Sequence, residues 1–451
     1  MRTRHPKPPR PASLPSINPH AAGLDIGSEE IWACVPEDRD AQPVRPFGTF
    51  TPDLYALADW LATCRIETVA MESTGVYWIP MYEILEARGF RVYLVNAHHV
   101  KHVPGRKSDV KDCQWIQHLH TCGLLSASFR PEAEMCALRA YMRHRATLLE
   151  YRAAHIQHIQ KALQQMNVQL MQVLSDITGA TGLAIIRAIV AGERDPVQLA
   201  RFRDPRCVSS TEEMAKALTG HDRPEHVFAL TQALALYDTY TAQVRECDLE
   251  IAQHFQAIRP VWPDALPPVD RADKRLSHCK NAPSYDARTM LYQLTGVDLV
   301  AIPGLNASTV QTLLSEIGLD LRKWPNAKAF CAWLGLAPRH EISGGKVLRR
   351  STLKTRNRAG QALRLAAQAV SRSRNSLGAF YRRMRARLGP KAAIVATAHK
   401  LARLVYHLLR HRLPYRDFSA ADYEQRARER EIASLRNKAA KLGLTLVESP
   451  A

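Results

Sequence analysis

Four acidic residues are spaced so that a fold could gather them. Asp25 stands inside Leu24-Asp25-Ile26-Gly27 at the end of a short apolar run, and Glu72 ends another, Thr68-Val69-Ala70-Met71. Asp109 and Asp112 are three apart, which on a helix puts them on one face. If the first and third strands are neighbours, Asp25 and Glu72 meet at one sheet edge, and the helix can bring two more carboxylates there. Four hard oxygen donors suit two Mg²⁺ (or Mn²⁺) ions about 4 Å apart, able to clamp both oxygens of a phosphodiester displacement. Taken alone, Asp109 and Asp112 also suit a helix N-terminus through its dipole. The ordered series of strand, hairpin, strand and helix is the more specific feature.

A second chemistry is offered by Glu341-Ile342-Ser343-Gly344-Gly345-Lys346. Paired glycines let backbone approach a ligand closely. A serine hydroxyl attacks phosphorus only when a base or metal activates it and cations hold the phosphate. Cations are abundant here: Lys346, Arg349, Arg350, Lys354, Arg356, Arg358, Arg364, Arg372, Arg374, Arg382 and Arg383. Between Arg339 and Arg387 there are fourteen Lys and Arg and one acid, Glu341, within a chain of net charge +19. A solvated helix face interleaves acids, so this window reads as a phosphate-binding surface. On residue types alone, the reading of Ser343 as an incidental serine in a flexible polar turn is the favoured one, and Ser351 competes with it. His98, His99 and His102 follow a strand and could meet a phosphate. His118, His120, His155 and His158 read as ordinary surface or seam residues.

The elements needed to position these groups are legible in outline. A short apolar strand ending in Gly23–Gly27 and a second at Ile31–Val35 form a predicted hairpin. Helices are expected over Leu54–Leu61 and Ile79–Arg88, with strands at Thr68–Glu72 and Arg91–Asn96. Ser108 is the expected cap of a helix from Asp109 to about Leu119. Strands alternating with helices after a hairpin indicate an α/β domain with a mixed sheet. From about Glu132, Leu149, Ile156, Leu163, Leu170 and Ile177 recur every seven residues, with Ile159, Met166 and Val173 between, predicting one long helix. A second heptad, Tyr237, Val244, Ile251 and Ile258, predicts an antiparallel partner with a small helical insertion at the tip, used for subunit pairing, for reach or for internal packing. Leu299–Gly318, with Pro303-Gly304 before a helix starting near Ser308, has the form of a helix-hairpin-helix whose backbone N–H groups can accept a phosphate. A charged terminal helix spans Ala420–Leu442.

Composition narrows the function classes. The chain has 451 residues, 46% of them hydrophobic, so a sizeable core is available. The basic excess points to a polyanionic partner. No run approaches the roughly 18 apolar residues of a membrane span. The first twenty residues are basic and proline-rich without a secretory apolar stretch. Nine scattered cysteines without a CxxC pair fit a reducing cytosol.

The ordered Asp25, Glu72, Asp109, Asp112 set resembles the DEDD tetrad of a RuvC-like (RNase H fold) domain. MESTGVYW (71–78) and VNAHHVKHVPGRKSDVKDCQW (95–115) are similar to that domain in insertion-sequence transposases of the IS-one-ten family. AIPGLNASTVQTLLSEIG (301–318), FCAWLGLAPRHEISGG (330–345) and GPKAAIVATAHKLARLVYHLLRHRLPY (389–415) resemble their C-terminal transposase domain. The resemblance implies a cytoplasmic DNA recombinase, nucleoid-associated when active. Its four carboxylates hold divalent metal, and a serine, matched here by Ser343, forms a covalent 5′-phosphoserine link. It further implies as partners double-stranded DNA (element ends and target), a structured non-coding guide RNA (the bridge RNA), and a homo-oligomer, dimer or tetramer, without a membrane. The expected organisation is a disordered basic tail (1–20), an α/β RNase H-like (RuvC-like) domain (21–130) and an α-helical coiled-coil middle with insertion and linker (131–295). A mostly α-helical C-terminal domain with the helix-hairpin-helix-like motif (296–415) and a charged terminal helix and tail (416–451) follow. The tail before residue 20 and the stretch 179–225 depart from the shared pattern. Leu-Asp-Ile-Gly also opens sugar-kinase and actin-like phosphate loops, but a second Asp-x-Gly turn and a glycine-rich adenosine loop are missing. Two further rivals are a metal-dependent junction resolvase without a covalent serine, and an inactivated element protein that only binds RNA or DNA.

Overall fold

The computed structural model describes residues 15–73, 75–96, 109–267, 280–352, 357–445 and 447. Most of the basic tail, His98, His99, His102, Ser108, Lys354 and Arg356 lie outside the described residues. The chain divides after Arg130 into two compact units.

The first unit is built on a five-stranded sheet: β1 (Ala21–Ile26), β2 (Glu30–Cys34), β3 (Val44–Gly48), β4 (Thr68–Glu72) and β5 (Arg91–Val95). The order is β3-β2-β1-β4-β5, with β2 antiparallel to β1 and β3, and β4 parallel to β1 and β5. This mixed sheet fits an RNase H-like α/β domain. Strand β3 is absent from the sequence reading because Val-Arg-Pro-Phe-Gly lacks apolar alternation and contains Pro46. As an edge strand it tolerates a residue without an N–H. Side chains alternate across the sheet. Ala22, Leu24 and Ile26 face α1 (Thr51–Thr63) and α2 (Trp78–Ala87), joining Leu57, Leu61, Met81 and Leu85 in one core. The opposite face takes α3 (Asp109–Thr121), where Ala70, Val95 and Ile116 cluster.

The second unit is largely helical. α4 (Ala133–Gln165) is followed by the small helices α5 (Leu170–Val173), α6 (Ala180–Val190), α7 (Pro196–Ala200) and α8 (Thr211–Leu218), and then α9 (Pro224–Ala257). α4 and α9 pack antiparallel: Tyr141 meets His254, Arg145 meets Asp248, and Tyr151 meets Tyr240. The expected single helix through Ile177 is corrected here. Helix α4 stops at Gln165, and Asn167 takes a left-handed φ of 53°. Asn is among the few side chains tolerated there, so the apolar repeat outlasts the helix. Leu170 and Ile177 instead join Ile159, Leu163, Ile185 and Ile186 in the core of the insertion.

A buried ion pair that no heptad reveals lies in the α4–α9 seam. Arg145 Nε donates to Asp248 Oδ1 at 2.6 Å and Nη2 to Oδ2 at 3.1 Å. Asp248 also accepts the Ser284 N–H, and Arg145 reaches the carbonyls of Asn281 and Ala282, so residues 281–284 are strapped onto the helix pair. Two residues earlier on α4, Arg143 forks onto Glu316 with N–O distances of 3.0 and 2.9 Å.

Beyond the strap come α10 (Ala287–Thr295), a 3₁₀ turn (Leu299–Ala301), α11 (Ala307–Ile317) and α12 (Ala327–Trp333). A two-stranded hairpin follows, β6 (Pro338–Ser343) with β7 (Lys346–Thr352). Four helices complete the unit: α13 (Arg358–Val370), α14 (Ser376–Leu388), α15 (Pro390–His411) and α16 (Ala420–Lys441). Asparagines 306, 326, 357 and 375 each cap a helix by accepting a backbone N–H from three residues on. At the Pro303-Gly304 turn, a Cβ on Gly304 would lie 2.6 Å from the Ala366 carbonyl oxygen, so this side of the turn is filled by α13. Among the described residues no helix is long and apolar enough to cross a membrane.

Candidate nucleic-acid-processing sites

In the first unit the parallel register pairs Leu24 with Met71. Asp25 and Glu72 are therefore the next neighbours, at the C-terminal ends of adjacent strands. Both lie on the α3 face, two residues after Gly23 and Ala70. Helix α3 runs antiparallel to β1. Ile17 N donates to the Thr121 carbonyl at 2.8 Å, and Gln117 Nε2 to the Ala21 carbonyl at 3.4 Å. Its first turn, with Asp109 and Asp112, consequently lies at the strand ends that carry Asp25 and Glu72.

The helix approaches because residue 23 has no side chain. A Cβ there would meet the Cys113 carbonyl oxygen and the Gln117 nitrogen, each at 2.4 Å. Electrostatics agree with this placement. The Cys113 thiol, beside Asp112, is pushed well up, first by its hydrogen bond with Cys34, then by burial, with a contribution from the Asp25 charge. At the far end of α3 the buried His120 ring shares a 2.9 Å hydrogen bond with Thr68 Oγ1. Burial, with the nearby Arg91 charge, pushes its pKa down to about 4. His120, read from sequence as a surface or seam residue, is a core residue at 0% exposure.

Asp25, Glu72 and Asp112 are half-buried, and the Asp109 side chain is not among those described. Among the described residues no three His, Cys, Asp or Glu side chains form a ready-made metal cage. The donor chemistry nonetheless fits a hard divalent cation: carboxylate oxygens only, at strand ends, with a helix holding two of them.

In the second unit, Ser343 ends β6 and pairs with Lys346 across the hairpin. Gly344 and Gly345 form the two-residue turn with φ of 54° and 75°. Positive φ at both positions is the type I′ turn that matches strand twist. Ser343 therefore sits on the last rung of a hairpin, with Lys346 across from it; both are exposed. Residue types gave no alternation here because the strands, Pro-Arg-His-Glu-Ile-Ser and Lys-Val-Leu-Arg-Arg-Ser-Thr, mix polar and apolar residues on both faces. The Gly-Gly pair was the available signal.

The basic window is not uniform. Arg349 and Arg350 lie on β7, Arg358 opens α13, and Arg372 and Arg374 follow it. Arg364 Nη2 donates to the Gly335 carbonyl at 2.8 Å, and Arg382 Nη1 to the Ser373 carbonyl at 2.8 Å. Arg383 pairs with Glu431 of α16 at 3.0 Å. These three serve the fold in addition to any ligand.

A DEDD transposase model matches residues 22–168, and the model described as Transposase IS116/IS110/IS902 family matches residues 298–382. Together they cover about half of the chain, and they contain the four carboxylates and Ser343. A pilin gene-inverting protein from Moraxella bovis is 29% identical over 158 residues, 34% of this chain and 46% of that protein. The chain thus spans under half the length of that relative. With both matched segments in the order and position of the two candidate sites, the chain belongs to the IS116/IS110/IS902 family of transposases.

Proposed function

We propose that this protein is a DNA transposase/recombinase that cuts and rejoins strands through a covalent serine link. The observation that carries the reading is the register of β1 with β4, which sets Asp25 beside Glu72 beneath the first turn of α3. Asp25, Glu72, Asp109 and Asp112 would hold Mg²⁺ (or Mn²⁺), which when bound supplies Lewis-acid stabilisation of phosphate oxygens. Ser343 is the nucleophile. Its Oγ–P bond forms as the P–O3′ bond breaks; the serine hydroxyl gives up its proton, and the departing 3′-oxygen takes one up. A 3′-hydroxyl of the exchanged strand then attacks the phosphoserine, restoring a phosphodiester and the serine. Exposure of Ser343 and the cation at Lys346 support this role, and Arg349, Arg350, Arg358, Arg372 and Arg374 supply phosphate contacts. Lys354 and Arg356 belong to the same basic run, as do Arg364, Arg382 and Arg383 beyond their structural bonds. A structured guide RNA and a dimer or tetramer complete the proposal, the carboxylates and the serine being carried on separate units.

The test is strand exchange on supercoiled DNA carrying element ends and target, with Mg²⁺ and RNA from the element's flanks. Wild type is expected to recombine, and Asp25→Ala and Ser343→Ala to fail. Metal-dependent cutting that survives Ser343→Ala would instead assign a resolvase-like nuclease.

A further inference from the structure

A pocket of about 500 Å³ opens between α14, α15, α16 and the segment joining the last two. Its walls include Lys400, Phe418, Tyr423, Arg426 and Arg430, together with one acid, Glu429. Apart from Ser376 and Leu377, the lining lies beyond the segment matched by the second family model. The connecting segment is pinned in place. Asp417 Oδ1 accepts the Tyr415 hydroxyl at 3.0 Å, Ser376 N donates to the Phe418 carbonyl at 3.2 Å, and Ser419 bridges Asn375. The pocket is therefore formed before any ligand arrives.

Its chemistry is a pairing of aromatic faces with cations. Lys400 Nζ lies 4.3 Å from the Phe380 ring centre and 4.5 Å from that of Tyr423. Among the described residues the Lys400 ammonium makes no ion pair, and burial, with the Arg430 charge nearby, pushes its pKa down to about 8. Against one lining carboxylate, Glu429, stand Lys400, Arg416, Arg426 and Arg430, so the pocket wall is net positive and favours an anion. Arg426 lies over Phe418, its guanidinium carbon 4.4 Å from the ring centre, and Phe418 is 44% exposed. An exposed ring with a guanidinium laid on it is a platform for another flat π-system. The volume falls in the range of roughly 300–1,000 Å³ typical of small-ligand sites. Paired bases of a duplex are locked in their stack, whereas bases of a single strand are free to splay onto aromatic side chains.

We propose that this pocket holds one unstacked nucleotide of a single-stranded nucleic acid, its base against Phe418 and its phosphate toward Lys400 and Arg430. The proposal rests on the nucleic-acid reading above for the class of ligand, but requires neither the carboxylates nor Ser343. The test is fluorescence anisotropy with the full chain. It compares a labelled single-stranded dodecamer bearing bases, an abasic strand of the same length, and a duplex, in DNA and RNA arms. The ratio of base-bearing to abasic affinity cancels the backbone charge. Wild type is expected to show a ratio of roughly ten in at least one arm, the low range of base–aromatic stacking. The arm showing it identifies the sugar. Phe418→Ala should bring that ratio to about one while duplex affinity moves by less than about twofold. Phe418→Tyr, which keeps the ring, should retain the ratio, and so should Arg428→Ala outside the pocket. A wild-type ratio of one in both arms, or an unchanged ratio in Phe418→Ala, overturns the proposal. So does an equal loss of duplex and single-strand binding. A failure of strand exchange with this ratio intact would count against the transposase chemistry alone.

Discussion

Gly23→Ala tests how the carboxylates are brought together. The added methyl would sit 2.4 Å from the Cys113 carbonyl oxygen and 2.4 Å from the Gln117 nitrogen, where ordinary contact begins near 3.4 Å. Both atoms are helix backbone, so no side-chain rotation relieves the clash. Helix α3 must retreat from β1 by about 1 Å, carrying Asp109 and Asp112 away from Asp25 and Glu72. Overpacking of this kind costs about 1–3 kcal/mol. Displacing a catalytic group by about 1 Å costs on the order of 10²-fold in rate. The assay is Mn²⁺ binding by calorimetry together with strand cleavage, alongside urea unfolding. Weakened metal binding and cleavage in a protein that still unfolds cooperatively is the expected result. Wild-type metal affinity and cleavage at lowered stability would refute the idea that α3 completes the site.

Three further outcomes follow from the same structure. Gly345→Ala forces a φ of 75° on a residue with a Cβ, at a cost of roughly 1–2 kcal/mol; covalent capture of DNA, read on denaturing gels, should fall while Mn²⁺ binding stays at the wild-type level. Asp248→Ala strands the Arg145 guanidinium in the α4–α9 seam and should lower stability in urea unfolding by about 3–5 kcal/mol, whereas Arg145→Met with Asp248→Leu should recover most of it. His120 is neutral in the fold down to about pH 4, while in the unfolded chain it protonates near 6.5. The unfolded state thus binds the extra proton between those values, and stability falls as pH drops through that window, by up to about 3 kcal/mol. Urea unfolding at the two ends of the window should show this loss in wild type and a smaller one in His120→Gln.

What sequence could reveal depended on whether a residue's role left a periodic mark. Leu24, Asp25 and Ile26 lie on a strand buried on both faces, so the run stood out and Asp25 with it. The i, i+3 acids of α3 were likewise local. Strand β3 left no mark because Pro46 and Arg45 sit on an edge that needs little burial. The α4 repeat misled because Leu170 and Ile177 keep the heptad after the backbone has turned at Asn167. Arg145 with Asp248, and Lys400 with Phe380 and Tyr423, are pairings across long separations, invisible until helices pack. For Ser343, the basic run was plain in sequence, but the hairpin that presents it rests on two glycines whose positive φ no composition states.

The most direct test of the central claim is the identity of the covalent link. Wild-type protein would be incubated with Mg²⁺, guide RNA and nicked or supercoiled element-end DNA, denatured, digested with protease and nuclease, and examined by mass spectrometry. A nucleotide remnant attached through its 5′-phosphate to Ser343, absent from Ser343→Ala and from Asp25→Ala, is the expected result. Recombinant products formed with no adduct on Ser343, or an adduct on Ser351 that persists in Ser343→Ala, would contradict it.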